Sequence, residues 1–190
     1  MVLGLALSFL SMFLSGAGEN GNLLLNGDFE DGLKGWQTPG WHKTALEGTL
    51  DSSENQGPGN ASLKLSGDGT RTGYVLQQIK IKPGKQSYRL EGWVKYAGFE
   101  NSWSVRLQIF AISIINGKEV IQAWHAVAPI RTESDWCKLS KDFTPPETAS
   151  YLRIGLFTNY PTVPPKPNTG VVWFDNLSLV KTDSSAGGER

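Results

Sequence analysis

The dipeptide Asn116-Gly117, set between two long β-rich runs, constrains this chain more than any other feature. Asn-Gly favours the two-residue turn in which both central residues take positive φ, the geometry that joins antiparallel neighbours with the correct twist. The run Trp103 to Ile115 and the run Val120 to Val127 are therefore expected to form a hairpin. Val105, Leu107 and Ile109 alternate with Arg106 and Gln108, so the two sets face opposite ways. Gln122 and Trp124 share one face of the returning strand for the same reason.

Period-two alternation recurs along the chain. It marks Ser62-Leu63-Lys64-Leu65 as a half-buried strand. Ser87 to Tyr96 places Tyr88, Leu90, Gly92, Val94 and Tyr96 on one side and Arg89, Glu91, Trp93 and Lys95 on the other. Trp93 thus falls among polar neighbours, away from the core. Further strands are expected at Asn22–Leu25, Tyr74–Ile81, Trp136–Phe143, Tyr151–Thr158 and Val171–Val180, with Pro83-Gly84 as a turn. No segment combines helix caps with apolar residues at helical spacing. About ten short strands with regular turn signals predict an all-β, antiparallel β-sandwich.

Lys plus Arg number 18 and Asp plus Glu number 18, so charge gives no case for nucleic acid or an anionic membrane surface. The single Cys137 can form no intrachain bridge and reads as a small apolar filler. Val2 to Leu14 is apolar but too short for a comfortable membrane span. Followed by Ser15-Gly16-Ala17, it predicts a signal peptide over residues 1–18 and a secreted chain with no membrane span in its mature form. No Lys or Arg precedes the run, so a non-cleaved anchor is the alternative. The sandwich is expected over residues 19–181, and residues 182–190 as a disordered tail or the start of a linker.

The segment from Asn22 to Trp36, Asn-Leu-Leu-Leu-Asn-Gly-Asp-Phe-Glu-Asp-Gly-Leu-Lys-Gly-Trp, resembles the opening of the carbohydrate-binding module superfamily of families 4, 9, 16 and 22. Pro83-Gly84 with Tyr88, Asp135-Trp136 leading to Phe143-Thr144-Pro145, and the closing Val171-Val-Trp-Phe-Asp-Asn-Leu-Ser-Leu179 resemble three of its later motifs. The resemblance spans Asn22 to Val180. It implies a galactose-binding domain-like jelly roll and a structural Ca²⁺ held by Glu30, Asp175 and Asp28, completed by backbone carbonyls. The alternative leaves Asp28 and Glu30 in a solvated turn and Asp175 bracing its own loop.

Sugars present apolar C–H faces fringed by hydroxyls, so their receptors pair flat aromatic rings with amide, carboxylate and guanidinium groups. Trp36 and Trp136 lie in framework motifs and are assigned to the core, and Trp173 fits either role. Trp41, Trp93, Trp103, Trp124 and Tyr160 are the candidate platform, with Arg106, Gln108 and Gln122 as polar partners.

Catalytic patterns are broken. Glu133-Ser134-Asp135 is followed at the required position by Lys138 instead of a third carboxylate. Gln122 and His125 have opposite parity, which separates the pair a jelly-roll lyase would need. The expectation is a non-catalytic module that holds a polysaccharide, of the xylan or β-glucan class, as an accessory to a tethered catalytic domain. A structural or adhesion sandwich is the alternative, and a small lyase ranks below it.

Overall fold

The alternating segments become strands, and their partners set the architecture. The computed structural model describes residues 21–39, 45–67, 72–99, 105–128, 134–158 and 170–182. The strands are β1 (Ala45–Leu46), β2 (Thr49–Asp51), β3 (Ser62–Ser66), β4 (Thr72–Lys80), β5 (Ser87–Ala97), β6 (Val105–Ile115), β7 (Lys118–Val127), β8 (Ser134–Phe143), β9 (Tyr151–Thr158) and β10 (Val171–Thr182). One sheet has the order β1-β4-β9-β6-β7 and the other β2-β3-β10-β5-β8. Pairing is antiparallel except between β1 and β4. No α-helix occurs among the described residues.

The two sheets close on one core. Val75, Leu107, Ile109, Leu152, Ile154 and Leu156 from the first sheet meet Leu63, Leu65, Leu90, Val94, Val172 and Phe174 from the second. Each set sits at alternate positions of its strand; β5 and β10 alternate in burial accordingly, whereas β4, β6 and β9 are buried on both faces over most of their length. Asn116 and Gly117 adopt φ of 51° and 74° at the β6–β7 turn, as Asn-Gly predicts. Trp36 is in the core, and Cys137 is half-buried against it.

Two expectations fail. Asn22–Leu25 forms no strand. One backbone bond, Leu23 N–H to the Leu179 carbonyl (2.8 Å), is supplemented by side chains: Asn22 Oδ1 accepts the N–H groups of Leu24 (3.0 Å) and Leu179 (2.8 Å), Asn22 Nδ2 donates to the Leu177 carbonyl (3.1 Å), and the Gln77 amide pairs with the Leu25 backbone. A side-chain amide that satisfies local backbone groups competes with strand pairing. Trp136 is half-buried instead of core. It lies where the edge strand β8 breaks register, between Ser134 opposite Tyr96 and Cys137 opposite Val94, so the inward alternation of Cys137 and Leu139 does not extend to it. The short strands β1 and β2 carry too few residues to show a period. The expected leader and the tail beyond residue 182 lie outside the described residues.

Candidate functional site

Residues opposite one another in an antiparallel ladder point to the same side, so register maps each outer face. On the first sheet one row runs Tyr74–Phe157–Arg106 and the next Leu76–Gly155–Gln108–Ala126. A third runs Gln78–Arg153–Phe110–Trp124, and a fourth Lys80–Tyr151–Ile112–Ile121. Side chains of opposite parity enter the core, which places these rows on the outer side of the sheet, where Tyr74, Leu76, Arg106, Gln108, Ile112 and Phe157 are themselves buried.

One end of this surface is well packed. Tyr74, Leu76 and Phe157 form an apolar cluster separate from the main core. The Tyr74 and Phe157 rings meet edge to face at 5.5 Å, and the Arg106 guanidinium lies 5.2 Å from the Phe157 ring centre. Burial pushes the Tyr74 hydroxyl up to about 12 against the pull of the Arg153 charge. Gly155 is required beneath it, because a Cβ there would lie 2.7 Å from a Tyr74 ring carbon. Arg153 Nη2 donates to Gln78 Oε1 at 2.9 Å and to Glu119 Oε2 at 2.7 Å, a pair that reaches from β9 to β7 across β6.

The other end is open. Trp124 is 49% exposed, and its indole N–H has no hydrogen-bond partner among the described residues. A half-exposed indole beside amide, guanidinium and carboxylate groups can stack on an apolar ligand face while those groups bond its hydroxyls.

The structure gathers only part of the expected set. Arg106, Gln108 and Trp124 share this face, the first two as buried floor residues. Gln122 is exposed and is the unpaired residue of a bulge opposite Ala111 and Ile112, where the alternation that linked it to Trp124 is interrupted. Trp93 lies on the outer face of the second sheet, in register with Asp175 and Lys138. Trp41, Trp103 and Tyr160 lie outside the described residues. Tyr74, Gln78, Phe110, Arg153 and Phe157 were missed. The parity of Tyr74-Leu76-Gln78 and Arg153-Gly155-Phe157 was their available signal.

The acidic cluster sits elsewhere, where β10 breaks register after Asp175. The Asp175 carboxylate is buried and accepts the N–H groups of Gln56 (2.8 Å) and Asn176 (2.7 Å). Burial pushes it up to about 6; those bonds oppose the shift, and the charges of Glu30 and Asp28 add to it. Glu30 Oε1 accepts the N–H groups of Asn60 (2.6 Å) and Ala61 (3.0 Å), which hold its carboxyl below the usual range. No three of these side chains converge into a ready-made metal cluster among the described residues.

A family model described as a carbohydrate binding domain matches residues 21–166. Among solved structures, Family 16 Carbohydrate Binding Module-2 is similar with a TM-score of 0.61 at 22% identity, over 84% of this chain and 99% of that one. TmCBM61 in complex with β-1,4-galactotriose has a TM-score of 0.53 at 16% identity, over 85% and 99%. The CBM22-1–GH10 modules of Clostridium thermocellum xylanase 10B, complexed with xylohexaose, have a TM-score of 0.56 at 14% identity, over 87% of this chain and 29% of that one. At these identities the likeness shows the fold. No curated protein matches the chain.

Proposed function

Because this chain belongs to the carbohydrate binding domain family, we propose that the outer face of the β1-β4-β9-β6-β7 sheet is a polysaccharide platform centred on Trp124. The family makes it a sugar-binding module. The single observation that carries the location is an indole half-exposed and without a hydrogen bond among the described residues, on the same face as Gln78, Gln108, Arg106 and Arg153. A sugar ring stacks its C–H face on Trp124 and Phe110, and its hydroxyls meet the Arg153–Glu119 pair and the amides. Three inter-strand spacings of about 4.8 Å separate β4 from β7, which suits an extended chain crossing the strands.

A neutral β-linked polymer of the xylan or β-glucan class suits a face whose Arg153 charge is already matched by Glu119. Such a module acts by holding a linked catalytic domain near its substrate, which raises effective concentration. The xylanase that resembles it joins a similar fold to a catalytic module. Export fits this role and the apolar run Val2 to Leu14. Affinity electrophoresis against soluble xylan, β-glucan, mannan and galactan tests the platform: retardation by one of them should vanish in Trp124→Ala. Absence of any retardation of the wild type in all the gels would overturn the reading in favour of a structural sandwich.

The acidic cluster fits a structural Ca²⁺ in its donor chemistry. Asp175 is a buried carboxylate with two further carboxylates near enough to raise it. A hard cation surrounded by oxygens relieves that arrangement. Asp175, Glu30 and Asp28 would hold it, and the ion would supply loop order and stability. Chelator should lower the melting temperature of the wild type by several degrees and leave Asp175→Asn unmoved; equal melting with and without chelator counts against the ion.

A further inference from the structure

Six large hydrophobic side chains are exposed among the described residues, and five belong to one hairpin: Ile114, Ile115, Val120, Ile121 and Trp124. Scattered exposed apolar residues are ordinary, whereas neighbours on one face mark contact with something apolar; Val120 and Ile115, opposite Ser113 and Lys118, lie on the other side of the hairpin from Ile114, Ile121 and Trp124. Register places Ile121 opposite Ile112 and Ile114 opposite Glu119. Glu119 bonds Arg153, which fixes that row on the outer face beyond the bulge. Ile114 (46% exposed) and Ile121 (56% exposed) therefore continue the Phe110–Trp124 surface toward the hairpin tip.

Aliphatic and aromatic groups recognise different parts of a sugar. An indole attracts polarised C–H groups through its π face, while isoleucine offers neither a π face nor a hydrogen bond. A branched aliphatic lip gains free energy only by removing apolar ligand surface from water. Ring hydroxyls placed against it would lose their hydration without a partner. The substituent that suits the lip is a methyl group carried on a hydrogen-bond acceptor. Gln122, exposed on the bulge beside Ile121, supplies an amide donor for such an acceptor.

Building on the platform reading above, we propose that the module prefers O-acetylated polysaccharide, with the acetyl methyl against Ile114 and Ile121 and the ester carbonyl toward Gln122. The acetylated and unmodified forms of one backbone differ only in that group, so the lip discriminates while Trp124 holds the backbone.

Calorimetric titration of the full chain tests this with naturally O-acetylated xylan and glucomannan oligosaccharides, each beside its alkali-deacetylated counterpart. The acetylated form should bind about fourfold tighter, the effect of burying one methyl group. Ile121→Ser should bring the ratio to about one while affinity for the deacetylated form stays unchanged; both side chains are exposed, so Ile114→Ser/Ile121→Ser should fold and behave alike. Equal affinity for both forms, or a ratio that survives the double variant, overturns the acetyl preference and leaves the platform standing. Absence of binding to either form of both backbones overturns the platform as well.

Discussion

The outer faces of the two sheets carry similar side chains in opposite states. On the second sheet, Trp173 sits between Lys64 and Lys95, whose ammonium groups lie 5.4 and 6.0 Å from its ring centre. Its indole N–H donates to Asp51 at 3.0 Å. Lys64 pairs with Asp51, Lys95 with Glu54, Lys138 with Glu91 and Arg89 with Asp142. Each of these hydrogen-bonding and ionic groups is therefore matched from within the chain. On the first sheet Trp124 keeps its ring half in solvent and its N–H unmatched among the described residues, beside an aliphatic lip. The tryptophan count cannot separate a brace from a platform. What separates them is whether cross-strand neighbours have already satisfied the indole.

That contrast makes graded predictions. Trp124→Ala should weaken glycan binding by at least about tenfold, since it removes a whole stacking surface, whereas Trp93→Ala should leave it within about twofold. The reverse order in affinity electrophoresis would exchange the roles of the two faces. Gly155→Ala comes next: the new methyl meets the Tyr74 ring, so stability should fall by about 1–3 kcal/mol and the floor under the ligand should shift. Thermal unfolding and titration together would show both effects.

On the braced face, Trp173→Phe keeps a ring but loses the bond to Asp51. It should cost about 1 kcal/mol in urea unfolding with glycan affinity unchanged. The smallest effect concerns acid. Bonds from Ser53 and Trp173, with Lys64 adding to them, hold the Asp51 carboxyl well below its ordinary value of 3.8. A depressed carboxylate contributes stability above that ordinary value, and the contribution is lost as pH falls through it toward the folded-state value. Urea midpoints should therefore drop between pH 5 and pH 3 less steeply in Asp51→Asn than in the wild type. Parallel slopes would remove Asp51 from the brace.

Much of the fold was legible because burial along β5 and β10 has the period of the strand itself. Tyr88, Leu90, Val94 and Tyr96 announced the core face of β5, and Asn116-Gly117 announced the β6–β7 hairpin. Asn22–Leu25 misled because four apolar and amide residues look alike whether they pair in a ladder or are held mainly by side chains, here Asn22 and Gln77. The site was less legible. Parity put Arg106 and Gln108 on one face correctly, and it excluded Trp93 from the core without saying which sheet would carry it.

The sequence by itself determined the all-β class, the extents of the longer strands, the hairpin and the inward set of each strand. All of these depend on interactions within about ten residues, which alternation and turn chemistry record directly. Only the tertiary structure decided that β9 lies between β4 and β6, bringing Gln78, Arg153 and Phe110 into one row with Trp124. It alone placed Trp93 and Trp173 on the opposite side of the molecule. Strand order depends on long-range pairing and on how two sheets bury their faces against each other, and no local pattern in the chain encodes that choice.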